Sequence, residues 1–162
     1  MLTLLLLLLP VNTNGYAGGG FGTPLACPCA SSRKVKYSDC CKPFHDDFTK
    51  IPTPSALVRA RYSAFALTIP TFIMNTTHPS NEQHYQTDRA GWLQELKGAF
   101  NEFELPRCHI VEEKIAEDGL SGTVTFIAHF TSKKGKKQTS FKETAQFKLE
   151  PQGWLYLHGD VE

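Results

Sequence analysis

The chain has 162 residues, 41% of them hydrophobic and 20% charged, a composition that excludes a disordered or fibrous protein and fits one ordinary globular domain with a small appendage. Seventeen basic residues against sixteen acidic ones leave a formal charge of +1, so nothing global points to nucleic acid or an anionic membrane as partner. A chain of this length buries a core large enough to fold without covalent staples.

The first stretch, "MLTLLLLLLPVNTNGYAGGGFG", is unlike the rest. Its leucine run from Leu4 to Leu9 is too short to span a bilayer, which takes about 20 apolar residues. It has the form of a signal-peptide centre, with Gly15-Tyr16-Ala17 as a small-x-small cleavage site, although the basic start of such peptides is absent. Residues 1–22 are therefore read as a removable leader and linker, for secretion or for an organelle, a plastid if the chain is algal or plant. The mature chain is expected to carry no transmembrane span.

Cys27, Cys29, Cys40 and Cys41 follow within "CPCASSRKVKYSDCC". Redox pairs are usually C-x-x-C, which is absent here. Adjacent cysteines such as Cys40 and Cys41 rarely bridge each other. Two readings stay open. Cross-paired disulfides suit an oxidising compartment, whereas four thiolates surrounding one Zn²⁺ make a closed structural site with no place for a substrate. Arg33, Lys34 and Lys36 would offset the negative charge of such a centre. His45, four residues after Cys41, is a reserve ligand should one cysteine fail to reach. Cys108 has no sequence partner and reads as a buried free thiol.

Downstream, Thr53-Pro54 signals a helix start, and Val58, Tyr62, Phe65 and Ile69 recur at helical spacing. A short helical segment covers Thr71 to Asn75 and stops before Pro79. A third helix is predicted from Thr87 to Phe100, with Trp92, Leu93, Leu96 and Phe100 on one side. Beyond Pro106 the period becomes two, predicting strands at 110–116, 122–131, 139–149 and 154–160. Turns come from Glu117-Asp118-Gly119, the lysine tip 132–137 and Pro151-Gln152-Gly153. Helices followed by an antiparallel meander imply an α+β domain, its curved, cone-shaped sheet packed against about three helices with a pocket between the layers.

The cysteine segment resembles the SEC-C zinc motif first noticed in the SecA translocation ATPase. With "KPFH", "ALVRARYSAFAL", "HPS", "VTFIAHF", "ETAQF" and "GWLYLHGD" following in order, residues 20–162 resemble the YchJ family. The resemblance implies a zinc knuckle at 23–45, with Zn²⁺ on Cys27, Cys29, Cys40 and Cys41, and a nuclear-transport-factor-2-like domain at 46–162. It also leans towards a protein partner for the knuckle, as the SEC-C motif of SecA is associated with protein partners. It supplies no reaction. The cysteine pairs stand two residues further apart than the motif's, Ala30 and Ser32 replace its glycines, and Thr77 replaces a tryptophan common before the HP dipeptide.

Alternation along the third strand puts Glu143 on the apolar face, where a carboxylate needs a partner. Arg61, near the edge of the first helix's apolar stripe, is the expected one, and the pair would lock helix to sheet. The functional alternative groups Arg61, His78 and Glu143 in the pocket as acid/base machinery for a small-molecule hydrolase or isomerase. His129 is expected on the outer face, and His158 and Asp160 are possible extensions of the pocket. Asn75 begins a formal glycosylation sequon. The leading expectation is a zinc-binding protein acting as a macromolecule- or ligand-binding module.

Overall fold

The computed structural model describes residues 26–29, 35–135 and 137–162. The leader and the basic loop residues Arg33 and Lys34 lie outside the described residues, and no described helix is long and apolar enough to cross a membrane. Local chemistry sets the helix starts. A short helix α1 (Lys42–Asp46) begins after Cys41 with a proline in its first turn. Helix α2 (Pro54–Ala66) starts as the sequence predicts: the Thr53 hydroxyl accepts from the Ala56 N–H at 3.2 Å. Glu113, from the first strand, accepts from the Ser55 N–H at 2.7 Å.

Helix α2 ends at Ala66, one turn before the predicted run stops, because Thr68 turns the chain with φ +56. Ile69 then leads into α3 (Pro70–Asn75). Helix α4 (Arg89–Glu102) is capped by Asp88, whose carboxylate accepts from the N–H groups of Ala90 and Gly91. Its buried stripe is Trp92, Leu96 and Phe100.

Four antiparallel strands follow in sequence order: β1 (Phe103–Ile115), β2 (Ser121–Ser132), β3 (Gln138–Glu150) and β4 (Gly153–Val161). Strand β1 begins seven residues before its predicted start and runs through Pro106. That is allowed because β1 is an edge strand with a register irregularity between Glu104 and Arg107, so no ladder bond is lost. Further irregularities at Ile110/Glu112 and Gln146/Phe147 bend the sheet. On the other edge, Thr77 makes a single parallel bridge to Tyr156.

Alternation decides the inner face. Gly122, Val124, Phe126 and Ala128 of β2 and Glu143, Ala145 and Phe147 of β3 are buried, with Phe126 opposite Glu143. The start of α2 sits close on this face at Gly122, where a Cβ would stand 2.8 Å from the Pro54 ring. Tyr62 straps the same helix to the sheet, its hydroxyl donating to the His129 carbonyl at 2.9 Å.

Candidate metal centre

Cys27 and Cys29 enter on a loop closed by the Cys27 N–H bond to the Val35 carbonyl at 2.8 Å. Cys40 and Cys41 follow a 3-10 turn at Tyr37–Asp39 and lead into α1. The four Sγ atoms all lie within 4.8 Å of one another, with Cys29 to Cys40 at 3.5 Å and Cys40 to Cys41 at 3.9 Å. Disulfide sulfurs would be about 2.05 Å apart, and all five cysteines are free thiols. A tetrahedral Zn–S bond of about 2.3 Å requires sulfur separations of roughly 3.8 Å. The observed spacings match that edge, so the donor set fits one tetrahedral thiophilic ion. The two extra residues in the loop therefore displace neither Cys40 nor Cys41.

The site is dry. Cys27, Cys29 and Cys41 are buried, and Cys27 Sγ lies 3.4 Å from Ser63 Oγ on α2. Hydrogen bonds from Cys29 and Cys41 hold the Cys27 thiol far below its ordinary value, with Ser63 and the Cys29 backbone N–H adding to them against burial. The same thiol contacts, together with burial, push Cys41 up. Such a cluster stabilises one thiolate by its neighbours' protons, which a divalent cation would displace.

His45 is not a ligand in this geometry. Its Nε2 donates to the Ala60 carbonyl at 2.8 Å, and its Nδ1 accepts from the Tyr37 hydroxyl at 2.7 Å. Burial lowers its pKa, and the ring meets Phe72 edge-on. It pins the cysteine segment to α2 and α3. Cys108 is buried as expected, and burial pushes its thiol up to about 12.

Arg61 and Glu143 approach the same aromatic ring. The Arg61 guanidinium lies over Tyr156, 4.7 Å from the ring centroid, and the Tyr156 hydroxyl donates to Glu143 Oε1 at 3.1 Å. The link between them thus runs through Tyr156, which sequence reasoning did not single out; its place two residues after Trp154 on an alternating strand was the available signal. Arg61 Nη1 also donates to the Ile73 carbonyl and to the hydroxyls of Thr76 and Thr77. Burial draws its pKa down to about 10, against the opposing pull of Tyr156 and Glu143.

His78 stands apart from this group. Its Nδ1 accepts from the Ser80 N–H, so its Nε2 donates, to Glu150 at 3.1 Å. The three proposed pocket residues therefore form two separate clusters. His158 and Asp160 pair with Gln146 and Thr144, on the sheet face away from Glu143. His129 lies on that outer face too, in an open groove of about 480 Å³ with Arg107, Thr131, Gln138 and Ser140.

Between the layers is a cavity of about 10 Å³ lined by Arg61, Phe65, Ile73, Thr77, His84, Trp92 and Tyr156. That is room for about one water.

Residues 53–159 match the family model described as "YchJ, middle NTF2-like domain". The chain belongs to the YchJ family. A UPF0225 protein of Enterobacter sp. (strain 638) is 31% identical over 133 residues, 82% of this chain and 81% of that protein. One from Vibrio vulnificus is 31% identical over 134 residues, 83% of this chain and 74% of that one. The solution structure of a SEC-C motif containing protein from Rhodopseudomonas palustris is similar with a TM-score of 0.67 and 28% identity, covering 83% of this chain and 97% of that one. A SEC-C motif containing protein from Psychrobacter arcticus has the same TM-score at 24% identity, over 86% and 84% of the two chains, a likeness of fold. The YchJ-family chain thus combines a four-cysteine cluster with an α+β body of the nuclear-transport-factor-2-like kind.

Proposed function

We propose that this YchJ-family protein binds one Zn²⁺ through Cys27, Cys29, Cys40 and Cys41 and uses the knuckle so formed to dock another protein. The observation that carries the metal is the set of four free thiols at tetrahedral spacing. With four protein ligands the ion would have no open position, so its role is to organise the surrounding chain. Pro28, Tyr37, Ser38, Asp39, Lys42 and Pro43 remain half-buried or exposed around it and form the surface offered to a partner. Residues 23–45 act as the knuckle and 46–162 as the scaffold that holds it.

The alternative, small-molecule catalysis in the cone, needs a solvent-reached pocket with two complementary polar groups. The cavity behind Arg61 is water-sized and His78 is engaged elsewhere, which favours the binding module. Native mass spectrometry of the mature protein, before and after chelator, tests the metal. The expected result is one zinc per chain, lost with chelator, and no disulfide. A chain carrying two disulfides and no metal would refute the reading. The docking role fails if the zinc-loaded protein and its Cys40→Ser variant capture the same partners.

A further inference from the structure

The cavity between the helices and the sheet has a chemical character that its small volume conceals. The Trp92 indole Nε1–H is buried with no hydrogen-bond acceptor among the described residues, and Trp92 is 1% exposed. An unsatisfied buried donor costs about 1–3 kcal/mol, so a native fold that keeps one calls for an acceptor.

None of the other polar lining groups, Thr77, His84 and Tyr156, stands where it accepts from that N–H. The Thr77 hydroxyl donates to the Ile73 carbonyl at 2.7 Å and accepts from Arg61. The Tyr156 hydroxyl donates to Glu143, and the buried His84 imidazole, its pKa lowered to about 3 by burial, adds no positive charge to the lining. Arg61 adds a positive charge to the same lining, and its three hydrogen bonds among the described residues all leave Nη1 and end on neutral oxygens. Nε and Nη2 thus stay available as donors. Glu143 meets Tyr156 at the hydroxyl end and is not among the residues lining the cavity. Arg61 is also the one lining residue that is not fully buried, the others being 6% exposed or less, so the lining is least covered on the Arg61 side.

We infer that this cavity is a binding site for a small monovalent anion, one acceptor atom of which sits between the Trp92 indole N–H and the Arg61 guanidinium. The anion is either a halide or the carboxylate end of a small organic acid, whose remainder would extend outward past Arg61. Charge selects an anion over water, since a charge-assisted bond is roughly twice as strong as a neutral one. The walls of Phe65 and Ile73 exclude a hydrated ion. This site is independent of the metal centre, and its test does not depend on the zinc.

The test uses the full chain labelled with ¹⁵N, whose two tryptophans, Trp92 and Trp154, give two indole N–H signals. The Trp92 signal is identified by its loss in Trp92→Phe. Sodium formate and sodium chloride are titrated separately at matched ionic strength. The expected result is a saturable downfield shift of the Trp92 signal with at least one of them, with Trp154 unmoved; which salt acts distinguishes carboxylate from halide. Arg61→Gln should raise the midpoint by roughly tenfold or more. If Arg61→Gln does not fold, Trp92→Phe serves, and the anion-dependent rise in melting temperature expected for the parent should be lost. The proposal is overturned if neither anion gives a saturable shift. It is equally overturned if the indole proton shows contact with a long-lived internal water that neither anion displaces.

Discussion

Gly159 on β4 pairs with Ala145 of β3, beside the point where Tyr156 meets Glu143. A methyl group there would overlap Glu143 Oε1 and stand 2.8 Å from both the Glu143 carboxyl carbon and the Tyr156 hydroxyl. Glu143 is 0% exposed, so its side chain cannot swing into water to make room. Gly159→Ala must break the Tyr156–Glu143 bond or shift the strand. Losing that bond in a buried setting costs about 1–3 kcal/mol, and overpacking adds about 1–3 kcal/mol. The expected total is about 2–6 kcal/mol, a large share of the 5–15 kcal/mol typical of a domain. Urea unfolding followed by circular dichroism measures it. Gly98→Ala, on α4 with nothing within 4 Å of the added carbon, is the control and should gain about 0.5–1 kcal/mol. In a Glu143→Ala background the carboxylate overlap is gone and the Tyr156 hydroxyl is released from its bond, so most of the cost of Gly159→Ala should vanish. A cost below about 0.5 kcal/mol, or one unchanged in that background, refutes the assignment of Gly159 as the gap that admits the hydrogen bond.

His45→Ala removes two hydrogen bonds and a ring contact, so it should cost about 2–3 kcal/mol while metal content stays at one per chain; metal loss at full folding would make His45 a ligand after all. Thr68→Gly relieves a β-branched residue at φ +56 on an exposed turn and should stabilise by about 0.5–1 kcal/mol in thermal melts; a net loss would contradict the strain. The His78 hydrogen bond, then Lys148, hold the Glu150 carboxyl below its ordinary value. Its contribution to stability is therefore complete above the unfolded carboxylate pKa of about 4.3 and fades as pH falls through the lower folded value. The stability difference between parent and Glu150→Gln should be constant near neutrality and shrink below about pH 4, which a series of urea melts would read. His84 is held down to about 3 by burial, so the folded state resists its protonation. Stability should fall by up to about 1.4 kcal/mol per pH unit from pH 6.5 towards 3, and His84→Asn should flatten that slope.

The strands and the inward face of Glu143 were legible because period-two alternation and turn residues are local signals. Helix starts were legible for the same reason at Thr53-Pro54. The end of α2 was not, since the turn at Thr68 uses a left-handed conformation that threonine does not advertise. Strand β1 was cut short because proline is a breaker only where its N–H is needed, and edge position is a property of the whole sheet. At the site, the four cysteines were readable from spacing. The Arg61–Tyr156–Glu143 stack was half readable: both charged residues were found, but the ring between them is set by packing across elements far apart in the chain. His78 was drawn to Glu150 rather than the pocket by the same long-range geometry.

Helix α2 buries eight of its thirteen residues, more than a single sheet-facing stripe would cover. Ser63 touches Cys27 and Ala60 receives His45 on one side, while Arg61 and Tyr62 reach Tyr156 and β2 on others. Cys27, Cys29 and Cys41 belong to the same buried cluster as Trp92 and Phe147. The cysteine segment is in effect a wall of the main core, and the sulfur cluster works as a fuse. Oxidation of one thiol would open that wall and set α2 loose from both sides. Damage at the sulfurs would then appear as a single cooperative melting of the whole chain and a sudden gain in protease sensitivity.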